Sequence, residues 1–215
     1  MHTVIKDERT GYEFMPEGTL YLRQDPDQTY VPRFAKELDV GLDLPVKINI
    51  DRIKFASAGE TPARLRSPIL YPDLKHYVNP EGTPDDPTPW LEVPTLGWAE
   101  IPCGLSIKLP DDCWGLLQTR SSTIWKKHLM IIPSTIDPGY TGQLGVLVHN
   151  PNQRPIRVYE YNPETKTGDR LGQLILIPRY DLKIISIVNK LPETKRGITG
   201  FGSSNISNGL NKESR

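Results

Sequence analysis

Apolar positions along this chain fall in short runs separated by turn-forming residues, with no long helical stripe. Leu20–Arg23 alternates apolar and polar or aromatic positions, as a half-buried strand does. Trp98–Ile101, Leu105–Leu109, Gly115–Gln118, Leu144–Val148, Ile156–Tyr159, Leu174–Ile177 and Ile184–Val188 continue the series. Pro110-Asp111-Asp112, Pro138-Gly139 and Asn150-Pro151-Asn152 punctuate it with turn chemistry. Helical periodicity is weak, and its best stretch is Ser122–Leu129, which Ser121 or Ser122 is placed to cap. Many short strands at even spacing predict an all-β domain, a sandwich or closed barrel; a jelly-roll-like antiparallel β-barrel fits.

Composition sharpens this. The 215 residues suffice for one well-buried core, read as a single β domain over residues 1–205. Proline is abundant, at 21 residues, about twice average usage, which favours turns and edges over helices. Seven prolines fall between Asp51 and Pro89. Residues 47–89 therefore read as an insertion, partly ordered and on the surface. Deleting Ile53–Asp86 is expected to leave the fold intact. Arg64-Leu65-Arg66 and Leu74–Tyr77 within it offer a surface for a protein partner. Residues 192–215 read as a flexible arm.

Charge is balanced, 26 basic against 26 acidic residues, which argues against a broad nucleic-acid or membrane-binding surface. No apolar run approaches the roughly 20 residues that span a bilayer, and the N-terminus lacks a signal-peptide core. A cytoplasmic protein is expected, or a nuclear one if the source is eukaryotic. Cys103 and Cys113 suit a reducing compartment. The two cysteines and four histidines show no zinc spacing, and the zinc-deaminase signature is absent.

Chemistry concentrates in five segments. Val40-Gly41-Leu42-Asp43-Leu44 comes first, then Thr119-Arg120-Ser121-Ser122. Ile136-Asp137-Pro138-Gly139-Tyr140-Thr141-Gly142 and Gly168–Ile175 follow, and Arg196–Ser204 closes the set with three glycines around Phe201. Glycines let a backbone turn sharply and approach a ligand, and successive N–H groups can cradle phosphate oxygens. Taken singly, Asp137–Tyr140 reads better as an ordinary turn, and Arg196–Ser204 equally well as a flexible tail.

In this order the five segments resemble the motifs of the trimeric dUTPase family. The resemblance covers roughly Leu20–Val46 and Trp90–Asn205. It implies a jelly-roll fold and hydrolysis of dUTP to dUMP and pyrophosphate. It implies that Asp137 activates the attacking water and that Tyr140 packs under the deoxyribose. Arg120, Ser121, Ser122 and Gln173 match phosphate contacts. Arg196 matches a γ-phosphate clamp, Phe201 a ring stacked on uracil, and Gly202, Ser203 and Ser204 the surrounding cradle. The resemblance also implies Mg²⁺ held mainly by the triphosphate, with Asp43 near its water shell. A homotrimer is implied, each site built from three chains. Asp169 and Arg170 read as residues that hold their loop. This chain carries Thr119 where the family has proline, Ser134 before the Thr135-Ile136-Asp137 turn where it has glycine, and Asn205 for the last glycine. Two rival readings remain. A dCTP deaminase of the same fold needs a glutamate where this chain has Leu147. A binding protein that kept the fold without the chemistry has no need of Asp137, Tyr140, Arg196 and Phe201.

Overall fold

The computed structural model describes residues 6–7, 20–180 apart from 27, 29, 35 and 37, then 185–190 and 192–193. In chain order the elements are β1 (Lys6–Asp7), β2 (Tyr21–Gln24), β3 (Gly41–Leu44), β4 (Lys54–Ala56), β5 (Val78–Asn79), β6 (Trp90–Val93) and β7 (Trp98–Lys108). Then come β8 (Cys113–Thr119), α1 (Ser121–Lys127), β9 (Met130–Ile131), β10 (Ser134–Ile136), β11 (Gln143–His149), β12 (Ile156–Tyr159) and β13 (Gly172–Pro178). The all-β class is as the pattern implied. The strands form three ladders: β1-β2-β7-β11-β9 with β4 also on β7, then β10-β8-β13-β3, and β12-β6-β5. No ladder joins these sheets into one continuous barrel among the described residues.

The spine is β7, at 11 residues the longest strand. The apolar pattern predicts two strands here, and the structure joins them through Gly104 at φ +67°, a left-handed conformation suited to glycine. On one edge of β7 lie β2 and β4 in succession, paired as Leu22↔Ile107 and Phe55↔Ala99. On the other lies β11, as Val146↔Ile101. Pro102 has no N–H to give a ladder, and it sits at the irregularity where the β11 register shifts between Gln143 and Gly145. Alternation along β11 and β13 sends Leu144, Val146, Val148 and Leu174 into the core.

Residues 47–89 are not the removable surface loop that their prolines suggest. Ile53 and Phe55 are 0% exposed, and Leu74 and Val78 join the same core. Strand β4 extends the sheet, and Phe55 and Arg66 exchange backbone hydrogen bonds of 2.9 and 2.8 Å. Proline-rich 84–89 does stay outside the strands.

Residues 181–215 form a separate unit. Within it, residues 185–188 carry no strand, against the expected Ile184–Val188, and Lys190 pairs with Glu193 at 2.8 Å. The arm residues Arg196, Phe201, Gly202, Ser203 and Ser204 lie outside the described residues.

Candidate active site

Two groups of side chains carry the chemistry. The first sits on the hairpin between β10 and β11. Strand β10 is held against β8 through Ile136↔Gly115. The chain then turns at Asp137-Pro138-Gly139-Tyr140, closed by the Tyr140 N–H donating to the Asp137 carbonyl at 3.0 Å. Proline fits the second position of such a turn because its φ is preset. Asp137 is exposed, and no hydrogen bond or ion pair ties its carboxylate among the described residues. Tyr140 is 43% exposed, and its hydroxyl donates to the Gln143 carbonyl at 2.8 Å. One turn thus carries both a solvent-exposed carboxylate and a partly exposed ring.

The second group gathers where β8, β13 and β3 end. Arg120 follows β8, its N–H donating to the Leu171 carbonyl at 3.2 Å. Helix α1 begins at the next residue. Neither Ser121 nor Ser122 caps it: the N-cap is Arg120, in extended backbone, and no side chain closes the turn. The buried Thr123 fastens the helix instead, its hydroxyl donating to the Leu171 carbonyl at 2.8 Å. At the other end His128 adopts the left-handed conformation (φ 52°) that stops the helix. Ser121 is left exposed and Ser122 half-buried.

Asp43, 5% exposed, organises this group. Its Oδ1 lies 2.5 Å from Arg120 Nε, and its Oδ2 lies 3.0 Å from Arg170 Nη1. The second contact is off the line of the N–H bonds and is ionic rather than a hydrogen bond. Arg120 Nη1 also donates to the Arg170 carbonyl at 2.7 Å. Arg170 in turn lies 4.9 Å from the centre of the Tyr161 ring, a cation–π contact. Burial works against the Arg170 charge, but Tyr30, Asp43 and Tyr161 outweigh it and hold its pKa above the ordinary arginine value. Burial pushes the Tyr30 phenol up, with the Arg170 guanidinium opposing. Both Asp43 oxygens face arginines, so in the protomer this carboxylate holds guanidinium groups.

Gln173 pairs with Asp43 across the β13–β3 ladder. Its amide lies flat over Gly41, where a Cβ would come within 2.2 Å of Oε1. The glycine two residues before Asp43 therefore makes room for the neighbouring strand's glutamine. Asp169 holds its loop as expected, accepting the Tyr159 N–H at 2.8 Å and pairing with Lys127 at 2.9 Å.

Arg120, Ser121, Gln173 and Asp43 thus come together, and Asp137 and Tyr140 come together. No hydrogen bond or ion pair joins the two groups among the described residues. The link from Asp43 to both arginines escaped sequence reasoning, because it depends on the β3–β13 register. A cavity of about 340 Å³ lined by Gln28, Lys47, Pro89, Glu160, Tyr161 and Glu164 contains none of the predicted site residues. Its principal charges neutralise each other, Lys47 on Glu160 at 2.9 Å. Leu147, the position a deaminase would need as glutamate, faces Glu100 across β7, and Glu100 is paired with Lys54 at 3.0 Å.

Comparison with known proteins adds an independent line. The dUTPase family profile matches residues 91–205. The chain is 30% identical over 145 residues to the deoxyuridine 5'-triphosphate nucleotidohydrolase of Crocosphaera subtropica, covering 66% of this chain and 96% of that one. It is 36% identical over 116 residues to a putative enzyme of the same name from frog virus 3, covering 54% of this chain and 66% of that one. The Paramecium bursaria Chlorella virus 1 enzyme is 32% identical over 114 residues, with 53% and 75% covered. Among solved structures, a point mutant of the Staphylococcus bacteriophage 80alpha dUTPase with dUpNHpp superposes with a TM-score of 0.55 at 18% identity, covering 86% of this chain and 98% of that one. The dUTPase from phage phi11 of S. aureus gives 0.50 at 18% identity, with 82% and 99% covered. These structures share the fold, and together with the profile match and the relatives they place the chain in the dUTPase family.

Proposed function

We propose that the protein hydrolyses dUTP to dUMP and pyrophosphate. The observation that carries the reading is the hairpin turn, which holds the untied Asp137 carboxylate beside the Tyr140 ring on a member of this family. Asp137 takes a proton from water as the oxygen attacks the α-phosphorus. The bond from that phosphorus to the bridging oxygen breaks, and pyrophosphate leaves. Base catalysis of this kind contributes roughly 10²–10⁴-fold. Arg120 neutralises phosphate charge, Ser121 and Ser122 lie beside it at the start of α1, and Gln173 offers its amide. Tyr140 lies against the sugar and leaves no room for a 2′-hydroxyl. Arg196, Phe201, Gly202, Ser203 and Ser204 close over the triphosphate and base.

The described residues form no group of three or more His, Cys, Asp or Glu able to cage a cation. In this reading Mg²⁺ would enter with the substrate, held mainly by the triphosphate. It would supply charge neutralisation on the triphosphate, and the protein's residues do the orienting and the proton transfer.

Asp137 follows Ile136, which pairs with Gly115 near one end of β8, whereas Arg120 follows the other end, and this placement supports assembly as a homotrimer. One chain then supplies Asp137 and Tyr140, a second Arg120, Ser121, Ser122 and Gln173, and a third the arm. The four-stranded sheet offers a face for this contact. Its register puts Trp114 and Leu116 of β8 beside Ile177 and Ile175 of β13 on the side away from the core, each half-buried. Burying such apolar surface is worth about 25 cal/mol per Å² before the costs of association.

Two measurements test the reading together: pyrophosphate release from magnesium–dUTP and ammonia release from dCTP. Pyrophosphate from dUTP without ammonia from dCTP is expected. Ammonia from dCTP with dUTP untouched would make the protein a deaminase, and neither product would make it a binding protein.

A further inference from the structure

The position of the Tyr140 ring is set from outside the hairpin. The ring folds back over Gly142, where a Cβ would lie 2.5 Å from the hydroxyl oxygen and 2.6 Å from Cζ. Its hydroxyl is fixed on the Gln143 carbonyl at 2.8 Å. The ring is therefore as well placed as the backbone at Gln143. That backbone sits at a weak point of the ladder. Gln143 pairs with Ser106, and the register then shifts before Gly145, so the ladder is interrupted on its inner side.

The Gln143 side chain compensates. Its Nε2 donates to Asp25 Oδ2, and its Oε1 accepts from Arg52 Nη1. Both ends of the amide are thus tied, one to the residue that follows β2 and the other to a turn in the insertion. The Arg52 turn is itself closed by its N–H on the Asn49 carbonyl at 3.0 Å, and Asp25 is fixed by its N–H on the Gly104 carbonyl at 2.9 Å. Neither residue belongs to the five motifs.

From this arrangement we infer that Asp25 and Arg52 are positioning residues for sugar recognition. Through Gln143 they hold the Tyr140 ring close enough to exclude a 2′-hydroxyl, and so they set selectivity for dUTP over UTP. The inference rests on the proposed role of Tyr140 against the deoxyribose. Its physical basis is that excluding one hydroxyl by shape requires the ring to stay put: an apolar wall rejects an added hydroxyl by only about 10²-fold, and a misplacement of ~1 Å can cost as much.

The test is kcat/KM for dUTP and UTP, measured separately, for Asp25→Ala, Arg52→Ala, Arg52→Lys, Tyr140→Phe and Tyr140→Ala. Binding of the α,β-imido analogues of both nucleotides gives a second readout. Arg52→Ala and Asp25→Ala should each lower the dUTP/UTP ratio about tenfold, chiefly by improving UTP. A general loss of structure would instead depress both substrates in proportion. Arg52→Lys, which keeps a donor for Oε1, should restore most of the ratio. Tyr140→Phe, which cuts the tie to Gln143, should lower it similarly and add little to Arg52→Ala. If Tyr140→Ala leaves the ratio unchanged, the proposed role of the ring is wrong. If Tyr140→Ala lowers the ratio while Asp25→Ala and Arg52→Ala do not, the ring acts as proposed and the positioning inference is overturned. Should an alanine variant fail to fold, Asp25→Leu and Arg52→Met, which keep bulk but neither accept nor donate, carry the same comparison.

Discussion

Phe55→Ala tests whether the insertion belongs to the core. Phe55 lies in the middle of β4, 0% exposed, opposite Ala99 of the central strand, with the Tyr77 ring centre 5.5 Å away. Truncating a buried phenylalanine loses its transfer free energy and leaves a cavity, together about 3–5 kcal/mol. A whole domain is stable by only about 5–15 kcal/mol, so this one change removes roughly a fifth or more of the margin. With a urea slope of roughly 2–3 kcal/mol/M, the midpoint should fall by about 1–2.5 M at unchanged slope. Leu70→Ala is the internal control. Leu70 lies in the same insertion but is 76% exposed, and surface changes of that kind stay within about 0.5 kcal/mol. Both variants are unfolded in urea at one protomer concentration, because any assembly couples stability to concentration. If Phe55→Ala moves the midpoint no more than Leu70→Ala does, the insertion is decoration after all. In that event a chain lacking Ile53–Asp86 should fold. The structure instead predicts that this deletion strips β4 from β7, removes Phe55, Leu74 and Val78 from the core, and yields an unfolded product on circular dichroism.

Four further outcomes are expected. Asp137→Asn should lower kcat by about 10²-fold or more while an imido analogue of dUTP still binds; an unchanged kcat would remove Asp137 from the reaction. Asp43→Ala leaves two guanidinium groups facing each other, and breaking a buried pair costs about 3–5 kcal/mol. Both arginines keep some solvent contact, so the low end is expected, read as a drop in melting temperature together with a raised KM. Truncation after Leu191 should leave a folded protein that has lost most dUTP hydrolysis, and Phe201→Ala alone should lower kcat/KM by about one to two decades, given ~1–3 kcal/mol for base stacking. Full activity in the truncated chain would reduce the arm to a linker. Burial pushes the Cys103 thiol up to about 12, so iodoacetamide at pH 8 should label Cys113 well before Cys103. Equal labelling of the native protein, read by peptide mass, would contradict the packing around Cys103.

The strands that show their period in the sequence are the ones long enough to display it. Residues 143–149 alternate over seven positions, and the stretches Gly115–Gln118 and Leu174–Ile177 within two other seven-residue strands are legible as short apolar runs. Strands β4, β5, β9 and β10 have two or three residues each, too few for any period, and they exist because a neighbouring strand supplies hydrogen-bond partners. Helix α1 was found to within two residues, but its cap was misread. Ser121 and Ser122 are suitable capping residues, yet the chain enters the helix from the extended Arg120 and Thr123 takes the tertiary anchor. The insertion was misread for a related reason. Proline density describes the local chain correctly, and it says nothing about Ile53 and Phe55, whose burial depends on an open edge of β7 nearly fifty residues later. The site followed the same rule. The motif residues were visible as a linear pattern, whereas the contacts that orient them run between strands and to residues such as Asp25 and Arg52 outside any motif.

These orienting contacts explain why the two halves of the site differ in character. On the β8–β13 side the functional groups are held before any ligand arrives. Arg120 uses Nε on Asp43 and one Nη1 hydrogen on the Arg170 carbonyl. A guanidinium has five N–H donors in a rigid plane, so this double anchorage fixes the plane and leaves donors over for a phosphate. A group held in this way does not have to reorganise as charge moves in the reaction. A lysine could not serve at Arg120, because one ammonium would have to satisfy Asp43, the carbonyl and the phosphate from a single point. On the hairpin the opposite holds. Asp137 has no partner among the described residues and stands in solvent, which suits a base that must accept a proton. Among the described residues the fold gives one aspartate two arginines and the other none, and that difference separates the carboxylate that holds from the carboxylate proposed to react.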